Sequence, residues 1–170
     1  MPAAFTIRPV ASTDMPQIAA IYGHYVLTHP AIFEIEPPDA AEMAARMDKI
    51  AAARLPYWVA EQEQRVVGYC YVTPYRPRAA YRHTVENSVY VSPDTVAAGI
   101  GSTLLQKVMD ECARQGYREV IAVIGDSANV PSIRLHQKAG FVHIGTLRNV
   151  GHKFDRWLDT VIMQKTLVMG

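Results

Sequence analysis

The chain has 170 residues, 49% of them hydrophobic and 19% charged, with 17 Lys and Arg against 16 Asp and Glu for a formal net charge of +1. That length suits one domain with a sizeable core. The charge balance excludes a protein that relies on a basic surface to hold nucleic acid or an anionic membrane, so a small molecule is the default partner. The opening MPAAFTIRPVAS has no apolar run behind a basic region and predicts no secretory signal. No stretch approaches the ~20 apolar residues of a membrane helix. Cys70 and Cys112 both sit in apolar patterns, which predicts two buried reduced thiols and a cytoplasmic protein.

Residues 5–9 alternate like a short strand. Ser12, Thr13 and Asp14 offer N-caps for a helix to about His24, with Ile18, Ile21, Tyr22 and Tyr25 at helical spacing. HPAIFEIEPPD, with three prolines, predicts a loop over 29–39. Asp39 and Glu42 then resemble a capping box opening a helix to about Ala53, striped by Met43, Met47 and Ile50. Residues 57–61 and 66–73 form a hairpin around Gln62, Glu63 and Gln64. TPYRPRAAYRH is an irregular connection to a strand over 84–91, with Val85, Val89 and Val91 on one face and Glu86, Ser88 and Tyr90 on the other.

Ile100, Leu104, Leu105, Val108, Met109 and Cys112 mark one face of a helix that stops at Gly116. Residues 119–124 are nearly all apolar, as in a strand buried on both faces. A strand, a helix and a strand imply a right-handed crossover and hence a parallel pair. A short helix over 132–138 ends at Gly140, Phe141 opens another strand, and the last strand lies within 157–168. The expected class is a mixed α/β sheet with helices on both faces. His24, His29, His83, His143 and His152 lack metal-site spacing, so no zinc or other metal is expected.

The stretch VSPDTVAAGIGSTLL runs from a strand through Gly99 and Gly101 into a helix, as a phosphate-binding turn does. Taken alone, the segment is better explained by a tight turn before a helix. A Walker loop is excluded because Ser102 and Thr103 follow without the Lys, and the dinucleotide fingerprint fails because Leu104 replaces the third glycine. A second segment, AVIGDSANVPSIRLHQKAGF, leaves a buried strand, crosses an Asn-containing loop and enters a short helix closed by Gly-Phe.

Together these segments resemble the GNAT superfamily of N-acetyltransferases. The nearer resemblance is to its phosphinothricin and methionine sulfoximine acetyltransferase group. IYGHYV, IFEIEPP, PYWVAE, PYRPRAAYRHTVENSVYVSP, GIGSTLL, AVIGDSANVPSIRLHQKAGF and VGHKFDRWLD carry it, in order, over residues 21–159. The resemblance implies a GNAT-like, mostly antiparallel sheet with a splayed parallel strand pair holding acetyl-CoA, and commonly a homodimer.

It implies that backbone amides of Val96, Ala97, Ala98, Gly99, Ile100, Gly101 and Ser102 cup the coenzyme diphosphate at a helix N-terminus. Glycine at 99 and 101 would spare the phosphates a Cβ collision. Val96 and Ala98 stand where the superfamily usually has Gln or Arg and often a basic residue, so amides alone would do this work. Backbone groups of Val89 and Val91 would pair with pantetheine as a pseudo-strand, with Asn129 and Ser132 close by; both residues also suit helix capping.

Glu86 matches the group's general base, acting directly or through water. The bland alternative is a solvated glutamate or a partner of Arg82. The N–H of Tyr90 or Val91 would serve the developing oxyanion. His136 stands where many relatives have Tyr, and would protonate or merely place the departing sulfur. Arg76 and Arg78, two apart, suit an anionic acceptor such as an amino-acid analogue. Phe33 and Glu34 would wall the acceptor pocket, with Ile32 replacing the family's Thr; Tyr81 and Lys153 are further candidates for the pocket or a subunit interface. The implied activity is acetyl transfer to the α-amine of a small amino-acid analogue, with resistance to such compounds as its consequence. The alternatives are another small amine, a protein N-terminus, or a non-catalytic acyl-CoA-binding module.

Overall fold

In the computed structural model, which describes residues 4–95 and 99–168, one seven-stranded sheet runs in the order β1-β2-β3-β4-β5-β7-β6. The strands are β1 (Thr6–Pro9), β2 (Tyr57–Gln62), β3 (Arg65–Pro74), β4 (Thr84–Val91), β5 (Glu119–Gly125), β6 (Val142–Lys153) and β7 (Arg156–Thr166). Every neighbouring pair is antiparallel except β4 and β5. The helices are α1 (Met15–Thr28), α2 (Ala40–Ala52), α3 (Ile100–Arg114) and α4 (Val130–Lys138). This is the expected GNAT-like architecture.

Strand alternation assigns the helices to faces. A Cβ on Gly68 would meet Ile100 and Leu104 of α3 at 3.0 and 3.1 Å, so α3 seats directly on β3. The next residue, Tyr69, points the other way and packs its ring on Tyr90, which in turn meets the Tyr22 edge from α1. The predicted α3 stripe is buried as a unit, Ile100 through Cys112, and Gly116 ends the turn at φ 89°. Cys70 and Cys112 are buried free thiols. No helix among the described residues is long and apolar enough to cross a membrane.

Several boundaries differ from expectation for local reasons. A 3-10 turn occupies Ser12–Asp14, and the Asp14 carboxylate does not cap α1. It instead accepts from Arg8 Nη1 and Nη2 and from the Ala11 amide, each at 2.8 Å. Helix α1 continues past His24 to Thr28 because Val26 is buried, and it stops before His29-Pro30, where proline disfavours helical geometry in the preceding residue. Asp39 caps α2 by accepting from the Glu42 amide at 2.8 Å, but the Glu42 carboxylate turns to Arg46, so only half of the capping box forms. Helix α4 begins two residues early, at Val130, with Pro131 in its first turn.

The last two strands were expected, but not that they form one long hairpin, β6 running to Lys153 and β7 starting at Arg156. Its turn places Phe154 and Asp155 at φ 53° and 54°, the pair of positive angles that a two-residue primed turn needs. Strand β5 was expected to be buried on both faces, yet Val123 is 43% exposed. Val123 lines a cavity, which is the reason.

Candidate active site

The site begins where β4 and β5 part. Their parallel register runs from Thr84↔Glu119 to Asn87↔Ala122 and goes no further, although β4 continues to Val91. Hydrogen bonds fix which way each residue of β4 faces. The Arg118 amide donates to the His83 carbonyl at 2.9 Å, so odd-numbered residues turn their main-chain groups toward β5. The Tyr75 amide donates to the Thr84 carbonyl at 3.3 Å, so even-numbered residues face β3. Val89 and Val91 therefore present N–H and C=O groups to an open gap. Of the two amides expected to serve an oxyanion, that of Val91 faces the gap and that of Tyr90 faces β3.

A cavity of about 480 Å³ fills this gap. Val89, Val91 and Asn87 of β4 form one wall, Ala122 to Gly125 of β5 another, and Asn129, Ser132, Leu135 and His136 close the end. Tyr25 crosses it, its hydroxyl donating to the Val91 carbonyl at 2.5 Å. Gly99 is in the left-handed region at φ 93° as the N-cap of α3, with open space where a Cβ would stand. Its glycine is thus required by conformation, whereas Gly101 packs against Leu135 and Val91. The amides of Ile100, Gly101 and Ser102 lie in the first turn of α3, ahead of the bond from the Thr103 amide to the Gly99 carbonyl at 2.9 Å, and have no backbone partner among the described residues, as suits an anion at a helix N-terminus. Ser102 is exposed and Ile100 is core. Val96, Ala97 and Ala98 lie outside the described residues. Asn129 does cap α4, accepting from the Ser132 amide at 3.4 Å.

Glu86 lies on the opposite face of β4 from Asn87, beside Thr73 and Ile121 across the sheet. It is half-buried, and burial raises its carboxyl above the ordinary range while the Arg76 charge pulls the other way. Arg82 bonds the Ala79 carbonyl and does not pair with it. The same face carries Tyr57, Tyr69, Tyr71 and Tyr90, whose phenols are pushed up, chiefly by burial, and stay neutral. A second cavity of about 370 Å³ opens there under α2, lined by Arg46, Tyr71 and Thr73 among others.

The acceptor-side residues are only partly brought together. Arg76, Arg78 and Tyr81 are exposed on the β3–β4 connection. Arg76 and Tyr81 both pack on Tyr75, and only Arg76 acts on Glu86. From the loop after α1 it is His29, Ala31 and Ile32, not Phe33 and Glu34, that line the large cavity. Glu34 accepts from Arg46 at 2.7 and 3.2 Å and from Tyr22 at 2.8 Å, and Arg46 holds its carboxyl below the ordinary range.

Lys153 requires the clearest correction. It is 5% exposed, and its ammonium donates to the carbonyls of Val26, Ile32 and Glu34 at 2.6 to 2.9 Å, with His29 at 3.3 Å. With three N–H groups for four carbonyls it has nothing left for a substrate. Two glycines complete the seat of this loop. A Cβ on Gly125 would lie 2.1 Å from the Ala31 carbonyl oxygen, and one on Gly151 would lie 2.5 Å from the Phe33 ring. Tyr25, Asn87, Gly125 and Gly151 are the site residues that motif reasoning missed. All four lie within segments that carry the family resemblance, but none was assigned a role there.

Among the described residues no group of three or more His, Cys, Asp or Glu side chains is arranged to hold a metal ion. A backbone gap beside a helix N-terminus, with a half-buried carboxylate across the strand, suits acyl transfer from an amide-rich thioester. The chain belongs to the acetyltransferase (GNAT) family, whose model matches residues 18–141. A phosphinothricin N-acetyltransferase of Alcaligenes faecalis is 50% identical over 98% of this chain and 85% of that protein. An L-methionine sulfoximine/L-methionine sulfone acetyltransferase of Pseudomonas aeruginosa is 39% identical over 95% and 94%. A Sinorhizobium meliloti phosphinothricin acetyltransferase, solved in complex with acetyl-CoA, superposes with a TM-score of 0.93 at 42% identity, covering 100% of this chain and 91% of that one. Acetyl-CoA is the co-substrate this site fits: main-chain groups of Val89 and the Val91 N–H face the gap, and the amide end of α3 stands beside it.

The Lys153 clamp makes a direct prediction. Lys153→Met strands four carbonyls and should lower stability by about 2–3 kcal/mol in urea unfolding. The surviving enzyme should show a raised KM for its amine acceptor because the loop is unhooked. An unchanged midpoint would mean that water replaces the ammonium without cost.

Proposed function

We propose that the chain is a single-domain N-acetyltransferase that acetylates the α-amine of a small amino-acid analogue of the phosphinothricin, methionine sulfoximine or methionine sulfone type. The observation that carries this is Glu86, half-buried on the acceptor face and directly across β4 from the gap that suits the thioester. Glu86, directly or through water, takes a proton from the incoming ammonium, and the neutral amine attacks. The Val91 N–H serves the developing oxyanion. Acetyl-CoA supplies an acyl group on a sulfur that leaves tolerably as thiolate. Arg76 and Arg78 hold the carboxylate of the acceptor, and their charge disfavours a polycationic one. The named activities of the relatives support this acceptor class.

The working unit is a homodimer formed through β6. This strand is the sheet's edge and exposes Val142, Ile144, Leu147 and Val150, each more than half exposed, beside Trp157 of β7. An uncovered apolar edge of this kind favours association. The buried free thiols suit a reducing compartment, the cytoplasm, and resistance to the acceptor compounds is the physiological consequence.

Thiol release from acetyl-CoA should be rapid with L-phosphinothricin, L-methionine sulfoximine or L-methionine sulfone, and slow with spermidine, an aminoglycoside or a Ser-Ala peptide. Glu86→Gln should lower kcat by about 10²–10⁴. Release with spermidine or the peptide would overturn the acceptor class, and full activity in the Gln variant would remove the base. The pH profile supplies a second check. Glu86 works as carboxylate, so kcat/KM falls as pH drops through its raised pKa. Arg76→Ala removes the charge that opposes that rise, so the acid limb should move to higher pH. Sedimentation equilibrium should give twice the chain mass, and Leu147→Glu should halve it.

A further inference from the structure

His136 is 3% exposed at the closed end of the cavity, and two neighbours define its state. Its Nδ1 lies 2.8 Å from the Ser132 carbonyl, which can only accept, so Nδ1 carries a proton. Its Nε2 lies 3.0 Å from Asn87 Nδ2, which can only donate, so Nε2 offers its lone pair. Turning the Asn87 amide over would require a second ring proton and an imidazolium. Burial disfavours that charge and lowers the ring's pKa, with the Ser132 bond opposing. The Phe141 ring also packs on it, nearly perpendicular with ring centroids 5.0 Å apart. Asp126 lines the same cavity and Glu86 points to the other face of the sheet, but neither bonds the ring. Arg134 and Lys138, on its own helix, do not bond it either.

We propose that Asn87 is a positioning residue that holds His136 as the neutral Nδ1–H tautomer with Nε2 occupied, so that the departing sulfur receives no proton from this histidine. The proposal rests on the acetyl-transfer reading of the site. When the acetyl carbon–sulfur bond breaks, its electron pair leaves with sulfur. The nitrogen that has become the amide gives up its extra proton, and the thiolate is protonated by that nitrogen or by water. His136 remains a wall.

The other end of Asn87 supports a dedicated role. Its Oδ1 is buried and has no hydrogen-bond partner among the described residues. A carboxamide serving only to fill the sheet would be matched or bettered by an apolar residue, because an unpaired buried acceptor destabilises. Its single polar contact among the described residues is His136.

Nitrogen-15 NMR of the imidazole reads the proposal directly. At neutral pH the expected wild-type ring has a protonated Nδ1 and a bare Nε2. Asn87→Leu should keep or raise the melting temperature while the ring signals move toward tautomer exchange. KM for acetyl-CoA should rise by about three- to tenfold with kcat nearly held, the pattern of lost binding rather than lost chemistry. Asn87→Asp, which keeps the size of the side chain if Leu does not fold, should protonate both nitrogens and add an alkaline limb to the rate profile. His136→Gln should lower kcat by less than about tenfold, where a general acid would cost about a hundredfold or more.

A protonated Nε2 in the wild type, ring signals indifferent to both Asn87 variants, or a hundredfold loss in His136→Gln would each overturn the proposal. The spectrum is readable without turnover. A bare Nε2 in a protein that acetylates no amine would therefore uphold the tautomer and overturn the acetyl-transfer reading instead.

Discussion

The site depends on hydrogen bonds that β4 and β5 do not make. Past Asn87 and Ala122 the two strands separate, and the main-chain groups of Val89 and Val91 are left facing space. Buried backbone groups must find partners. One is met internally, the Val91 carbonyl by Tyr25; the others are open to a ligand that carries amides of its own. A strand edge turned inward in this way is selective for extended, amide-bearing molecules, for the same reason that exposed edges recruit peptides. The helix that follows β4 turns its amide end toward one end of the gap. One departure from regular pairing thus produces both the slot and its polarity.

Around that gap the two faces of one strand carry different chemistry. Asn87 and His136 lie on the side of α3 and α4, and Glu86 and the tyrosines on the side of α1 and α2. Alternation along β4 means that adjacent residues face opposite sides of the sheet, so a one-residue slip of register would exchange them. The antiparallel pairing of β4 with β3, continuous from Pro74↔Val85 to Gly68↔Val91, prevents that slip.

Much of this was legible in the chain. The α3 stripe, the parallel pair and the β2–β3 hairpin follow from periodicity and connection length, and the segments 84–91 and 122–141 carry the chemistry in order. What could not be read depends on contacts between distant residues. Lys153 looks like a free surface cation until β6 carries it under the loop after α1, more than a hundred residues earlier in the chain. Gly125 and Gly151 look like ordinary glycines until Ala31 and Phe33 are laid against them. The β6–β7 turn is hidden for a local reason, since Phe154-Asp155 takes the conformation usually signalled by Asn-Gly. Glu34 seemed a pocket residue because its neighbours matched a motif, but Arg46, one helix away, had already claimed its carboxylate.

The position of Lys153 and Gly151 has a thermodynamic consequence. Both sit on β6, the free edge of the sheet, and both hold the loop whose Ala31 and Ile32 reach the cavity. Whatever settles on that edge selects among arrangements of the strand, and therefore of the loop. In the proposed homodimer joined at this edge, a ligand that prefers one of those arrangements would tighten the association by the same factor by which the association tightens the ligand. Substrate preference and self-association would then share one free energy, and a change on the outer strand would retune selectivity without touching a residue of the cavity.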